Sequence, residues 1–132
     1  MLFFRSWGIK MSELADQACI PSDGNTPPVT GKRADQLLVE LGEGWKINGS
    51  GHLEKLFVFK NFVEAMGFAN SVGDIAEAEG HHPDLHVGWG RCGVEIWTHD
   101  INGLAESDFF LAAKVNRAHN QRVAVSELNK GE

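Results

Sequence analysis

The chain has 132 residues, 42% of them hydrophobic and 23% charged, with a formal net charge of −6. That length and mix fit one domain that buries its own core without metal or disulfide staples. The acidic balance, with no Lys/Arg cluster to offset it, argues against nucleic-acid binding, and no apolar run approaches the ~20 residues that a membrane helix needs.

The first residues, Met1-Leu2-Phe3-Phe4-Arg5, are too short for the apolar region of a signal peptide and carry the charge after it. Met11, followed by Ser-Glu-Leu-Ala-Asp, reads as the true start, with residues 1–10 upstream of it. An organellar leader is the alternative, although transit peptides usually carry several arginines. Residues 1–28 lack sustained periodicity and hold Pro21, Gly24, Pro27 and Pro28, so they read as a mobile or loosely docked arm ahead of a domain over 29–132. Cys19 and Cys92 lie far apart with no CxxC, the pattern of two free thiols.

Thr30 caps a predicted helix over about 31–41, with Leu37, Leu38 and Leu41 on one face and Gly42 and Gly44 ending it. Trp45 to Asn48 reads as a strand, Gly49-Ser50-Gly51 as a turn, and Leu53 to Lys60 as a second strand. Asn61 caps a long helix whose stripe of Phe62, Ala65, Met66, Ala69, Val72 and Ala76 faces the core; Gly80 stops it. Leu85, Val87 and Trp89 alternate with Asp84, His86 and Gly88, and Gly90-Arg91 turns the chain. Val94 and Ile96 then alternate with Gly93, Glu95, Trp97 and His99. After a loop over 100–106, Ser107 or Asp108 caps a last helix to about Val125, with Phe109, Ala112, Ala113 and Asn116 inside. The order α-β-β-α-β-β-α predicts an α+β fold: a four-stranded antiparallel sheet with helices packed on one face.

Four of the six histidines fall within residues 81–99. His81 and His82 sit between a helix stop and a strand, where functional side chains gather. Pro83 biases His82 toward an extended backbone. If the last two strands form a hairpin, their outer ends meet, and His99 comes beside the His-His pair at roughly 5 Å, one strand spacing. Three imidazoles in one pocket suit proton transfer near neutral pH or metal ligation by neutral rings; polar strand ends in water are the plain alternative. His86 shares a face with His82 and Asp84, but no HExxH accompanies them, and a solvent-facing strand residue is the simpler reading. His52 and His119 are isolated and receive no role.

The run Glu77-Ala-Glu-Gly-His81-His82-Pro83, then Trp89, His99 and Asp108, resembles the pterin-4a-carbinolamine dehydratases. Trp45, Phe57-Val-Phe-Lys60-Asn-Phe62 and Trp97-Thr98-His99-Asp100 with Gly103-Leu104 extend the likeness over about Cys19 to Val125. One departure is Ala105, where many relatives have a hydroxyl residue. The resemblance implies dehydration of a 4a-hydroxytetrahydropterin to the quinonoid dihydropterin, in the recycling of tetrahydrobiopterin after an aromatic amino acid hydroxylase. It implies no metal or organic cofactor, a cytoplasmic homodimer or homotetramer, and catalysis by His81, His82 and His99. His81 and His99 would be the acid/base pair and His82 would orient the substrate. The substrate-binding set it implies adds Glu77, Pro83, Trp97, Thr98, Asp100 and Asp108. Glu77, one turn before the helix stop, can reach back to hydrogen-bond a histidine, with a solvated helix carboxylate as the lesser reading. Asp108 reads equally as an acid at a helix start, and one residue could do both jobs. Trp97 shares its face with His99 and offers a plane for the pterin, or packs in a core or dimer contact. Two other classes stay open: a coactivator-type binding module of the same fold, and a metal-dependent histidine enzyme.

Overall fold

The computed structural model describes residues 11–42 and 44–130. Its elements are α1 (Met11–Ala15), α2 (Gly31–Leu41), β1 (Lys46–Ile47), β2 (Leu53–Val58), α3 (Phe62–Glu79), β3 (Asp84–Gly88), β4 (Arg91–Ile96) and α4 (Glu106–Lys130), with a 3₁₀ turn at His99–Ile101. The four strands form one antiparallel sheet in the order β1-β2-β4-β3, as the alternation predicts. The two hairpins meet in the middle, where Leu53 lies opposite Ile96 and Phe57 opposite Cys92.

One face of the sheet is buried and the other open. Leu53, Phe57, Cys92, Val94 and Ile96 point into the core, while Leu56 and Val58 are exposed on the far side. Strand alternation alone sets this division, because successive side chains point to opposite faces. The helices cover the inner face. Asn116 of α4 ties two of its neighbours together: its Oδ1 accepts from the Trp45 indole at 2.8 Å, and its Nδ2 donates to the Leu41 carbonyl at 3.0 Å. A buried amide with both ends satisfied specifies this packing rather than penalising it.

α3 is bounded as the sequence demands. The Asn61 side chain accepts from the Glu64 N–H, and Gly80 closes the helix at φ 65°. Its buried stripe is rotated from the predicted one. Ala65, Phe68, Ala69, Val72 and Ala76 are buried, whereas Phe62 and Met66 remain 48% and 37% exposed. Phe68 lies on the opposite flank of the stripe, and the helix turns that flank toward Phe57 and Phe59, at ring distances of 4.7 and 5.2 Å. Trp89 also departs from expectation. β3 ends at Gly88, and Trp89-Gly90 forms the turn, with Gly90 at φ 71°, leaving Trp89 70% exposed. α4 begins one residue before the predicted caps, at Glu106, and runs on to Lys130.

The stretch read as a mobile or loosely docked arm lies along α4 from Leu14 onward, while residues 1–10 fall outside the described residues. Leu14 and Ala15 are fully buried. Lys114 donates to the Ala15 carbonyl, Arg117 pairs with Asp16, and Ile20 donates its N–H to the Ser107 hydroxyl. The Cys19 N–H donates to Glu79 at 2.9 Å. That bond, ahead of the nearby Lys114 ammonium, holds the Glu79 carboxyl below its ordinary range. Burial, and then Glu79 beside it, push the Cys19 thiol up to about 12, so both cysteines, Cys92 included, are free thiols held protonated. The prolines break helical periodicity but do not stop the segment from burying two apolar residues.

Candidate active site

His81 owes its position to the end of α3. Gly80 adopts the left-handed conformation that a residue with a Cβ resists, and the His81 N–H bonds back to the Ala76 carbonyl at 3.2 Å. The chain therefore leaves the helix at a fixed angle. Pro83 then feeds β3, whose Asp84 pairs with Glu95 of β4. Continuing that register outward sets His82 against Trp97 and His81 against Thr98.

The hairpin is only part of what joins His81 to His99. Asp108, fully buried at the start of α4, completes the link. Its Oδ2 accepts from the Thr98 hydroxyl at 2.7 Å and from the Ala105 N–H at 2.8 Å. Its Oδ1 accepts from His81 Nε2 at 2.5 Å. A carboxylate is acceptor-only, so Nε2 carries the proton and Nδ1 is the nitrogen left over. One side chain thus caps α4, anchors the strand end that carries His99, and fixes the His81 tautomer.

His82 lies further out. Its Nε2–H donates to Glu77 at 2.7 Å, with both side chains largely exposed. His99 occupies the 3₁₀ turn, which is closed by paired Thr98 and Gly103 backbones. Its nitrogens make no hydrogen bond to any described residue. Its ring is held instead by stacking on Trp97, centroids 4.3 Å apart and planes within 5°. The other face of Trp97 is covered by His52, at 3.9 Å and 3°. Trp97 therefore has no open face on which a flat substrate could lie, and the exposed end of the stack is His99.

These groups surround a cavity of about 300 Å³ lined by Ser22, Gly80, His81, His82, Pro83, Asp84, Trp97, Thr98, His99 and Asp100. Glu77 and Asp108 are not in that lining; each stands one hydrogen bond behind it, through His82 and His81 respectively. Glu77 faces a neighbouring groove between α3 and β3 whose rim His82 and Pro83 also form. Three wall residues escaped the sequence reading. Ser22 donates to Asp100 at 2.7 Å and brings the arm to the cavity, a contact with no local sequence signal. Gly80 and Asp84 flank the His-His-Pro run and enter through backbone geometry.

His52 is a fourth omission, outside the wall but built into the stack. Its Nδ1–H donates to Glu95 at 2.8 Å, and Glu95 also accepts from Asn48 at 2.9 Å. These bonds, Asn48's the larger and His52's next, hold the Glu95 carboxyl below its usual range. The remaining Glu95 oxygen stands 3.9 Å from His86 Nε2. Asp84, His86 and Glu95 offer donor atoms within 4.8 Å of one another, a geometry able to hold a metal ion on the open sheet face, with Asp84 and His86 exposed. It adjoins the histidine cavity and is distinct from the His81–His82–His99 set.

The fold and cavity define an α+β protein with an imidazole pocket at one end of an antiparallel sheet. A family model for pterin 4 alpha carbinolamine dehydratase matches residues 27–118. A protein of Rickettsia canadensis (strain McKiel), named "Putative pterin-4-alpha-carbinolamine dehydratase", is 53% identical over 105 residues, covering 80% of this chain and 96% of its own. A protein of the same name from Rubrobacter xylanophilus is 48% identical over 107 residues, covering 81% and 99%. Among solved structures, a transcriptional coactivator/pterin dehydratase from Brucella melitensis superposes with a TM-score of 0.65 at 31% identity, over 70% of this chain and 98% of its own. A pterin dehydratase-like protein described as a RuBisCO assembly factor shares the fold at 20% identity, with a TM-score of 0.51 over 59% and 92%. The chain belongs to the pterin-4a-carbinolamine dehydratase family, whose named activity is that of a hydro-lyase.

Proposed function

We propose that this protein dehydrates 4a-hydroxytetrahydropterins by histidine acid/base catalysis in the cavity between His81 and His99. The observation that carries the reading is Asp108: one buried carboxylate orients His81 and anchors, through Thr98, the turn that presents His99. The reaction breaks the C4a–O bond and the N5–H bond and forms a C4a=N5 double bond, releasing water. Hydroxide leaves poorly, so a proton must reach the hydroxyl while another leaves N5. His81, with Nε2–H committed to Asp108, has its Nδ1 lone pair to take the N5 proton. His99, whose nitrogens make no hydrogen bond among the described residues, delivers a proton to the leaving oxygen. His82 holds the substrate edge, with Glu77 fixing its tautomer. With both faces of Trp97 covered, the pterin ring extends the stack on His99 or lies edge-on to it.

Self-association belongs to the same reading. Phe62, Val63 and Met66 leave an apolar patch on α3, and a small sheet has edges to cover. The same reading puts the activity in the cytoplasm beside an aromatic amino acid hydroxylase, which would supply the hydroxylated pterin.

The test is a coupled hydroxylase assay that follows quinonoid dihydropterin formation. Wild-type protein should accelerate it, and His81→Ala and His99→Ala should each lower kcat by ~10²–10⁴-fold, the usual span for general acid–base help, with circular dichroism unchanged. A wild-type protein that leaves the rate at its uncatalysed value overturns the reading.

A further inference from the structure

We propose that His52 is a positioning residue for this reaction, setting the plane of His99 through Trp97; the proposal rests on the dehydratase reading above. Three flat rings lie in register, with His52, Trp97 and His99 within 5° of parallel at each step. The sheet puts them there. β2 and β4 pair with Leu53 opposite Ile96, so one step further along the same register His52 falls opposite Trp97.

The outer ring is firmly held. Glu95, next to Ile96 on β4, accepts from His52 Nδ1, and its position is fixed in turn by Asn48. Asn48 also builds the turn that carries His52: its Oδ1 accepts from the Ser50 and His52 N–H groups, and its N–H donates to the His52 carbonyl. The His52 side chain is only 12% exposed. At the exposed end, the His99 ring nitrogens make no hydrogen bond to a described residue, and its backbone carbonyl accepts from the Asn102 N–H. The second torsion of an imidazole is intrinsically broad, so nothing local to His99 fixes its ring plane. Catalytic groups need orientation to within about 10–20°. The stack supplies that restraint, and it is anchored where His52, far from His99 in sequence, bonds to Glu95. His52 touches neither the cavity nor the substrate, and acts only by closing the far face of Trp97.

The experiment uses the full chain. His52→Ala and His52→Phe are compared with wild type in the coupled assay, and the His99 ring protons are followed by NMR. Stacking under Trp97 shifts those protons by the indole ring current. His52→Ala should lower kcat by about tenfold, toward the hundredfold that an ångström of misplacement can cost, with KM within about twofold. His99 resonances should move toward unstacked values. His52→Phe restores a flat partner and should recover both readouts; His52→Leu, equal in bulk but not flat, replaces the alanine variant if that one fails to fold. Unmoved His99 resonances in the alanine or leucine variant overturn the proposal, as does a phenylalanine variant that recovers neither readout. Wild-type protein without dehydratase activity overturns the dehydratase reading instead, and the resonances alone then decide whether His52 positions His99.

Discussion

At Asp108 the cap of a helix and the orientation of a histidine meet on one carboxylate. α4 begins after Ala105, whose methyl cannot cap, and Asp108 reaches back from the third helical position to the Ala105 N–H. The burden of the cap rests on Asp108, which also binds Thr98 and His81. The sequence left room for both roles in one residue, and the hydrogen bonds bring the cap and the His81 contact onto the same carboxylate. Asp108→Ala should therefore lose activity and stability together. Thr98 and Ala105 would keep buried donors without partners, at about 1–3 kcal/mol for such a loss. Urea denaturation and the coupled assay measure the two effects, and Thr98→Val should reproduce part of the stability loss while leaving the His81–Asp108 pair in place.

Among the elements, the end of α3 matters most to the site. Gly80 at φ 65° lets the helix stop and His81 depart in one residue. No atom lies within 4 Å of a Cβ added there, so Gly80→Ala would meet strain rather than a clash. The expected cost is about 1–2 kcal/mol, that of placing a side chain in the left-handed region, read as a lower urea midpoint. Any relief of that strain rotates His81 away from Asp108, so kcat should fall more than KM changes. The β1–β2 hairpin is the other element that reaches the site. Its turn was plain in Gly49-Ser50-Gly51, yet its partner strand was not. β2 pairs with β4, and the chain crosses α3 and β3 between them, so local pattern carries no register for that contact. His52 was left without a role for this reason.

Across the whole molecule, α3, α4 and the sheet close around aromatic residues that half-bury one titratable group. His119 of α4 packs against Phe57, Phe59 and Phe68, at ring distances of 4.9, 5.8 and 5.6 Å. Burial, and then the Lys55 and Arg122 charges, hold its pKa below the ordinary 6.5. The unfolded chain takes up a proton near 6.5 that the native protein refuses until lower pH. Stability from this group is thus full above 6.5, falls as pH drops below it, and levels off below the lowered native value. Urea unfolding at pH 7.5 and 5.5 should show His119→Leu losing less stability than wild type over that interval; equal losses would contradict the assignment.

The sequence by itself determined the element order, the antiparallel hairpins, the stop at Gly80 and the candidates His81, His82 and His99. Each depends on local alternation, capping or turn chemistry, which a chain expresses within a few residues. Tertiary structure alone decided that Phe68 rather than Phe62 or Met66 faces the sheet, and that the proline-bearing arm docks on α4 and brings Ser22 to the cavity. It also decided that Asp108 joins His81 to Thr98 and that His52 covers Trp97. The His81–Asp108, Ser22–Asp100 and Asp16–Arg117 contacts span 27, 78 and 101 residues of chain, and His52 meets Trp97 through the pairing of non-consecutive strands, so only the packed fold brings these partners within reach.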